Sequence, residues 1–117
     1  MSDSKTIHKN MAEMKYIEWL ISGAKECEIR LATDDFMNCD FIVFHCDGQQ
    51  FRFEVLGRRL FRNFESCVKC YGYNKLICDS KSFDDCVKTY KSFYPNKDYE
   101  HMKIVALKLE YWPIIYV

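Results

Sequence analysis

From residue 4 to residue 24, apolar side chains recur at Ile7, Met11, Met14, Ile17, Leu20, Ile21 and Ala24. Steps of three and four put them on one stripe, which predicts a helix. Asp3 or Ser4 can cap its start, Gly23 marks its end, and Lys9 and Glu13 are spaced to pair on the opposite face. The period then falls to two. Cys27, Ile29 and Leu31 alternate with Glu28 and Arg30, a first strand, and Asp34 and Asp35 occupy the turn after it. Phe41 to Cys46 is an almost unbroken apolar run, as expected for a central strand covered on both faces. An Asp47-Gly48 turn leads to Gln50–Leu56, where Phe51, Phe53 and Val55 alternate with Arg52 and Glu54.

At Arg58 the pattern changes once more. Leu60, Phe61, Phe64, Cys67 and Val68 fall at helical spacing, and Gly72 can end that helix in a left-handed conformation. Lys75 to Cys78 reads as a short strand. Ser82-Phe83-Asp84-Asp85 opens a further helix with a cap and with acids at the positive end of the dipole. Its apolar face is Phe83, Cys86, Val87, Tyr90 and Tyr94, and Pro95 stops it. His101 to Tyr111 is the final strand, and residues 112–117 stay apolar to the end. The expected order is α-β-β-β-α-β-α-β. It describes an α+β fold, α/β-like, with one sheet of about five strands and helices packed on it.

With 117 residues the chain supports one hydrophobic core, so residues 1–117 are expected to form a single domain. Aromatic residues make up 16%, against four glycines and two prolines, which excludes a disordered or linker-like chain. Seventeen basic and seventeen acidic residues cancel, so the molecule has no overall field to draw it to nucleic acid or an acidic membrane. Neither a signal-peptide core nor a membrane-spanning run is visible. A cytoplasmic protein is expected, in the host cytoplasm if the chain is viral. The seven cysteines then read as reduced thiols, and their odd number argues against a closed disulfide set.

The segment with most chemical content is Cys39–Phe64. It sets Asp40 on one arm of a hairpin and Glu54 on the other, and two such acids can hold a divalent ion through oxygen ligands. This arrangement resembles the core of the PD-(D/E)XK nuclease superfamily, carried here by Cys39-Asp40-Phe41-Ile42-Val43 and Phe53-Glu54-Val55-Leu56. The resemblance covers roughly residues 10–80 and implies a Mg²⁺-dependent nuclease with Asp40 and Glu54 as metal ligands and catalytic acids. Glu18 would match an extra acid that some members carry. In that family a lysine two residues after the second acid orients the attacking water; here Leu56 stands in its place, and Lys75 or Arg58 would have to substitute. A strand's side chains alternate faces, so both acids must share a face to share an ion. A three-residue turn would bring them together, whereas the two-residue turn favoured by Asp-Gly pairs Phe41 with Glu54 and separates them.

Four of the five arginines lie between Arg52 and Arg62, interleaved with Phe53, Phe61 and Phe64. Arg58, Arg59 and Arg62 beside Phe61 suit phosphate contact and base stacking, the pattern of a nucleic-acid-binding regulator; the alternative is the polar face of an amphipathic helix. Cys67, Cys70, Cys78 and Cys86 have the spacing of a zinc site, but cysteine is also a common small core residue. His45 and Cys46 are neighbours on a strand and point to opposite faces, which spoils a nucleophile–base pair. A strand running into Trp112, Tyr116 and their apolar neighbours is a poor free edge in water, so it either enters the sheet or pairs with another chain, for example in a homodimer.

Lacking a complete catalytic set, the chain is expected to be a small protein-binding module without a cofactor. Arg52, Arg58, Arg59, Arg62, Phe61, Trp112 and Tyr116 are its candidate contact residues, because Trp, Tyr, Phe and Arg concentrate interface energy. A composition rich in Lys, Phe, Tyr and Ile suits AT-rich genomes of phages and mobile elements, and so a small inhibitor of a host protein, such as an anti-defence factor. The nuclease, or a descendant of one without turnover, and the nucleic-acid-binding regulator are the competing expectations.

Overall fold

A computed structural model of the protein describes residues 3–113. One mixed sheet organises them. Its strands are β1 (Thr6–Asn10), β2 (Glu28–Leu31), β3 (Phe41–Cys46), β4 (Gln49–Phe61) and β5 (Ile104–Tyr111), in the spatial order β1-β3-β4-β5-β2. β1 runs parallel to β3, and every other neighbouring pair is antiparallel. The helices are α1 (Met14–Ser22), α2 (Asp34–Asn38), α3 (Phe64–Tyr71) and α4 (Phe83–Ser92). The α+β class read from the sequence therefore holds. No described helix is long and apolar enough to cross a membrane.

Several elements depart from the expected order. The long first helix is instead β1 followed by α1. Ile7 stands four residues before Met11 and so mimics a helical step, but it is the one inward side chain of a five-residue edge strand paired with β3. Asp34 and Asp35 open α2 rather than a turn. β4 runs on to Phe61, past the expected start of a helix at Arg58. The cause is a β-bulge: Val55 pairs with Leu109 and Gly57 with Lys108, leaving Leu56 as the extra residue. One inserted residue breaks the period-two pattern, so the second half of the strand reads as a change of period. The helix begins only at Phe64, where Asn63 accepts the Ser66 amide at 2.8 Å. Lys75 to Cys78 is not a strand: Tyr73–Lys75 is a short 3-10 turn. Residues 98–100 form a second such turn, so β5 starts at Ile104 rather than His101.

The core fills between sheet and helices. Ile17, Ile42, Phe44, Phe53, Phe64, Leu76, Ile104 and Leu107 are fully buried. β5 is the spine of the sheet: Ile104–Leu107 pair with β4 on one side and β2 on the other. That stretch is thus tucked into the sheet and offers no edge to a second copy. The far end of β3 and β4 is different. There one face carries Ile7, Ile42, Phe44 and Phe53 into the core, while the other stays largely open.

Candidate functional site

The hairpin settles the relation of the two acids. Asp47 and Gly48 both have positive φ (51° and 75°), the geometry of a two-residue turn that matches strand twist. Phe41 pairs with Glu54, and the Val55 amide donates to the Asp40 carbonyl at 2.9 Å, so Asp40 stands opposite Val55. The acids fall on opposite faces, and the condition for a shared ion is not met. The Asp40 carboxylate is used locally, accepting the Lys5 amide at 2.8 Å. Lys75 sits exposed on its 3-10 turn, where its carbonyl accepts the Glu26 amide. No three His, Cys, Asp or Glu side chains among the described residues are grouped to hold a metal ion. Cys67 and Cys86 are buried in the core while Cys70 is exposed, and burial pushes the Cys67 thiol up to about 12, suppressing the thiolate that a metal requires. All seven cysteines are free thiols.

The arginine cluster divides. Arg58 points into the fold: its Nε donates to the Phe36 carbonyl at 2.8 Å and its Nη2 to the Cys39 carbonyl, tying β4 to the end of α2. Arg59 lies over the Phe61 ring, which packs edge-on against Tyr71. Arg62 is exposed. These side chains do not form one helix face, because the segment is a strand. Tyr116 lies outside the described residues.

Arg52 and Trp112 belong to a separate surface, built by register. Across the open face, Thr6, Phe41, Glu54 and Glu110 make one row, and His8, Val43 and Arg52 begin the next. The Trp112 amide donates to the Arg52 carbonyl at 2.8 Å, which adds Trp112 to that second row. The Arg52 guanidinium stands 5.4 Å from the Trp112 ring centroid, and Phe41 meets the same indole edge-on at 5.2 Å. His8 Nδ1 and His45 Nε2 are 2.8 Å apart, a hydrogen bond between the two rings. Trp112 is 42% exposed, and the face presents its aromatic residues together with the Arg52 guanidinium and the Glu54 and Glu110 carboxylates.

A second feature escaped the sequence reading. A cleft of about 300 Å³ opens between β2, the chain after β1, and α4. Its polar lining is Lys25, Glu28 and Arg30; its walls include Tyr16, Tyr94 and Phe93. Lys25 is only 2% exposed, donating to the Leu76 carbonyl at 2.7 Å and the Tyr90 hydroxyl at 3.0 Å. Burial pulls its ammonium below the ordinary lysine range, and the Glu28 carboxylate, 3.7 Å away, opposes that shift. Glu28, 5% exposed, also accepts Arg30 Nε at 2.8 Å. From sequence, Glu28 and Arg30 were the outward residues of an alternating strand. The available clue was that both sit on a four-residue strand beside a lysine, with Tyr90 and Tyr94 on the face of a later helix.

No family model matches the chain, and no curated protein matches it. Solved structures similar to the chain include those of two proteins. One is the crystal structure of hypothetical protein PH0355, 25% identical, with a TM-score of 0.79 over 92% of this chain and 99% of that one. The other is the solution structure of protein PF0455 from Pyrococcus furiosus, 18% identical, with a TM-score of 0.74 over 93% of this chain and 99% of that one. The likeness is one of fold.

Proposed function

We propose that this chain is a small non-catalytic binding protein that docks on a protein partner through the open face of its sheet. The observation that carries the reading is the Phe41–Arg52–Trp112 cluster, a half-exposed indole held between a guanidinium and a ring. Trp and Arg are the residue types that most often dominate binding energy. Here Arg52 stands on β4 and the Trp112 amide is bonded to its carbonyl, so docking orders little that is not already ordered. The His8–His45 pair and Gln50 supply a polar rim. Inhibition by covering a partner's surface, as by an anti-defence factor of a phage or mobile element, is the form of this activity that size and composition suit. The separation of Asp40 from Glu54 leaves the nuclease reading without its geometric support.

The test is partner affinity measured on defined variants. The protein retained from native-host lysate is identified, purified and titrated against wild type, Trp112→Ala, Arg52→Ala and the control Arg59→Ala. Trp112→Ala should cost at least about 2 kcal/mol, roughly 30-fold in Kd, with Arg59→Ala near wild type. Wild-type affinity in both Trp112→Ala and Arg52→Ala would contradict the reading. So would Mg²⁺-dependent cleavage of DNA or RNA that disappears in Asp40→Ala and Glu54→Ala.

A further inference from the structure

A buried ion pair is often no better for stability than apolar residues of the same volume. Lys25 and Glu28 form such a pair, and they line an open cleft of about 300 Å³ instead of packed core. We propose that this cleft is a binding site for a small aromatic carboxylate, one ring bearing one negative charge. Its volume lies at the low end of the range for small-molecule sites, about 300–1,000 Å³, which suits a single substituted ring rather than a nucleotide.

The sign of the ligand follows from the charges that face it. Lys25 and Arg30 are basic and Glu28 is the one acid, so an anion completes the balance where a cation would add to the excess. Arg30 is the anchor. Its guanidinium lies over the Phe36 and Phe44 rings at 5.5 and 5.3 Å, and its Nε is fixed on Glu28 at 2.8 Å. The bonds of its Nη2 are long, 3.3 Å to the Asn10 carbonyl and 3.8 Å to the Met11 sulfur. A ligand carboxylate replaces those weak contacts with charge-assisted ones. Tyr16, Tyr94 and Phe93 supply the walls against which a ring packs, and Tyr16 meets Phe93 edge-on at 6.1 Å. This site shares no residue with the Phe41–Arg52–Trp112 cluster.

The test uses the full chain with benzoate, 4-hydroxybenzoate and 4-hydroxyphenylacetate as probes. Benzamide and benzylamine serve as the neutral and cationic counterparts. Binding is read from amide shifts of ¹⁵N-labelled protein. At least one carboxylate should saturate with shifts centred on residues 11, 12, 30 and 93, and bind at least tenfold tighter than benzamide or benzylamine. Phe93 is 43% exposed, so Phe93→Ala should keep the fold and weaken that carboxylate about tenfold. Arg30→Gln should weaken it further and erase the preference for carboxylate over amide. No saturable carboxylate binding, equal binding of benzylamine, or unchanged affinity in Phe93→Ala would overturn the assignment.

Discussion

Lys25 and Glu28 show how far a residue's environment can depart from its local pattern. On sequence Glu28 alternates outward from a strand, and Lys25 is an unremarkable charge before it. In the fold α4 brings Tyr90 over them, and both are buried. Removing either member should cost stability unequally. Glu28→Gln leaves the buried Lys25 and the partly buried Arg30 without a counter-charge and should cost about 3–5 kcal/mol. Lys25→Met leaves Glu28 still paired with Arg30 and should cost less, about 1–3 kcal/mol. Urea denaturation of the two variants checks the order. Lys25 also carries a pH signature. Because burial lowers its folded value below 10.5, the unfolded chain holds a proton that the folded one has lost between that value and 10.5. Stability conferred relative to Lys25→Met should therefore rise with pH across this alkaline window and be flat below it. Denaturation midpoints of the two proteins, subtracted at each pH, isolate this effect from the tyrosines.

Elements with strong local signals were legible. The Asp47-Gly48 turn and its two arms were, and so were the Ser82 cap and the stop of the last helix near Pro95. Asn63 and Ser82 both accept amides three residues on, at 2.8 and 3.1 Å. Asn63→Ala and Ser82→Ala should each lower stability by about 1 kcal/mol, measured by denaturant midpoint with an unchanged slope. What failed was periodicity in elements whose pattern is set by distant partners. β1 has one inward side chain and exists because β3 offers it an edge, so Thr6–Asn10 merged with the helix behind it. The bulge at Leu56 shifted the alternation of β4, and the strand beyond it read as a helix bearing Arg58 and Arg59. That error created the apparent arginine face. Arg52 and Trp112 stand among the candidate contact residues, and their adjacency depends on a β4–β5 register that no short window contains.

At the scale of the whole molecule the topology was the least legible part. The element order does not reveal that β2 crosses to the far edge and pairs with β5, the last strand in the sheet. Pairings of that sequence separation leave no local trace. They do make β5 the centre of cooperativity, since Ile104–Leu107 are hydrogen-bonded on both sides and buried. Amides of that segment should exchange slowest, near the global unfolding limit, while those of the edge strand β1 exchange faster by local opening. Hydrogen exchange followed by NMR checks this. The same architecture separates the molecule's two surfaces of interest: the cleft lies between β2, the chain after β1, and α4, and the rows of Phe41, Arg52 and Trp112 lie across β3 and β4 on the open face.

Site-specific photocrosslinking in native-host lysate tests the docking claim most directly. A benzophenone side chain is placed at Gln50, at His8 or, on an exposed position of α4, at Lys88. A docking face predicts one discrete crosslinked protein from positions 50 and 8, competed by unlabelled wild type but not by Arg52→Ala, and none from position 88. Crosslinking to that protein from position 88 alone, or competition by Arg52→Ala as strong as by wild type, would contradict it.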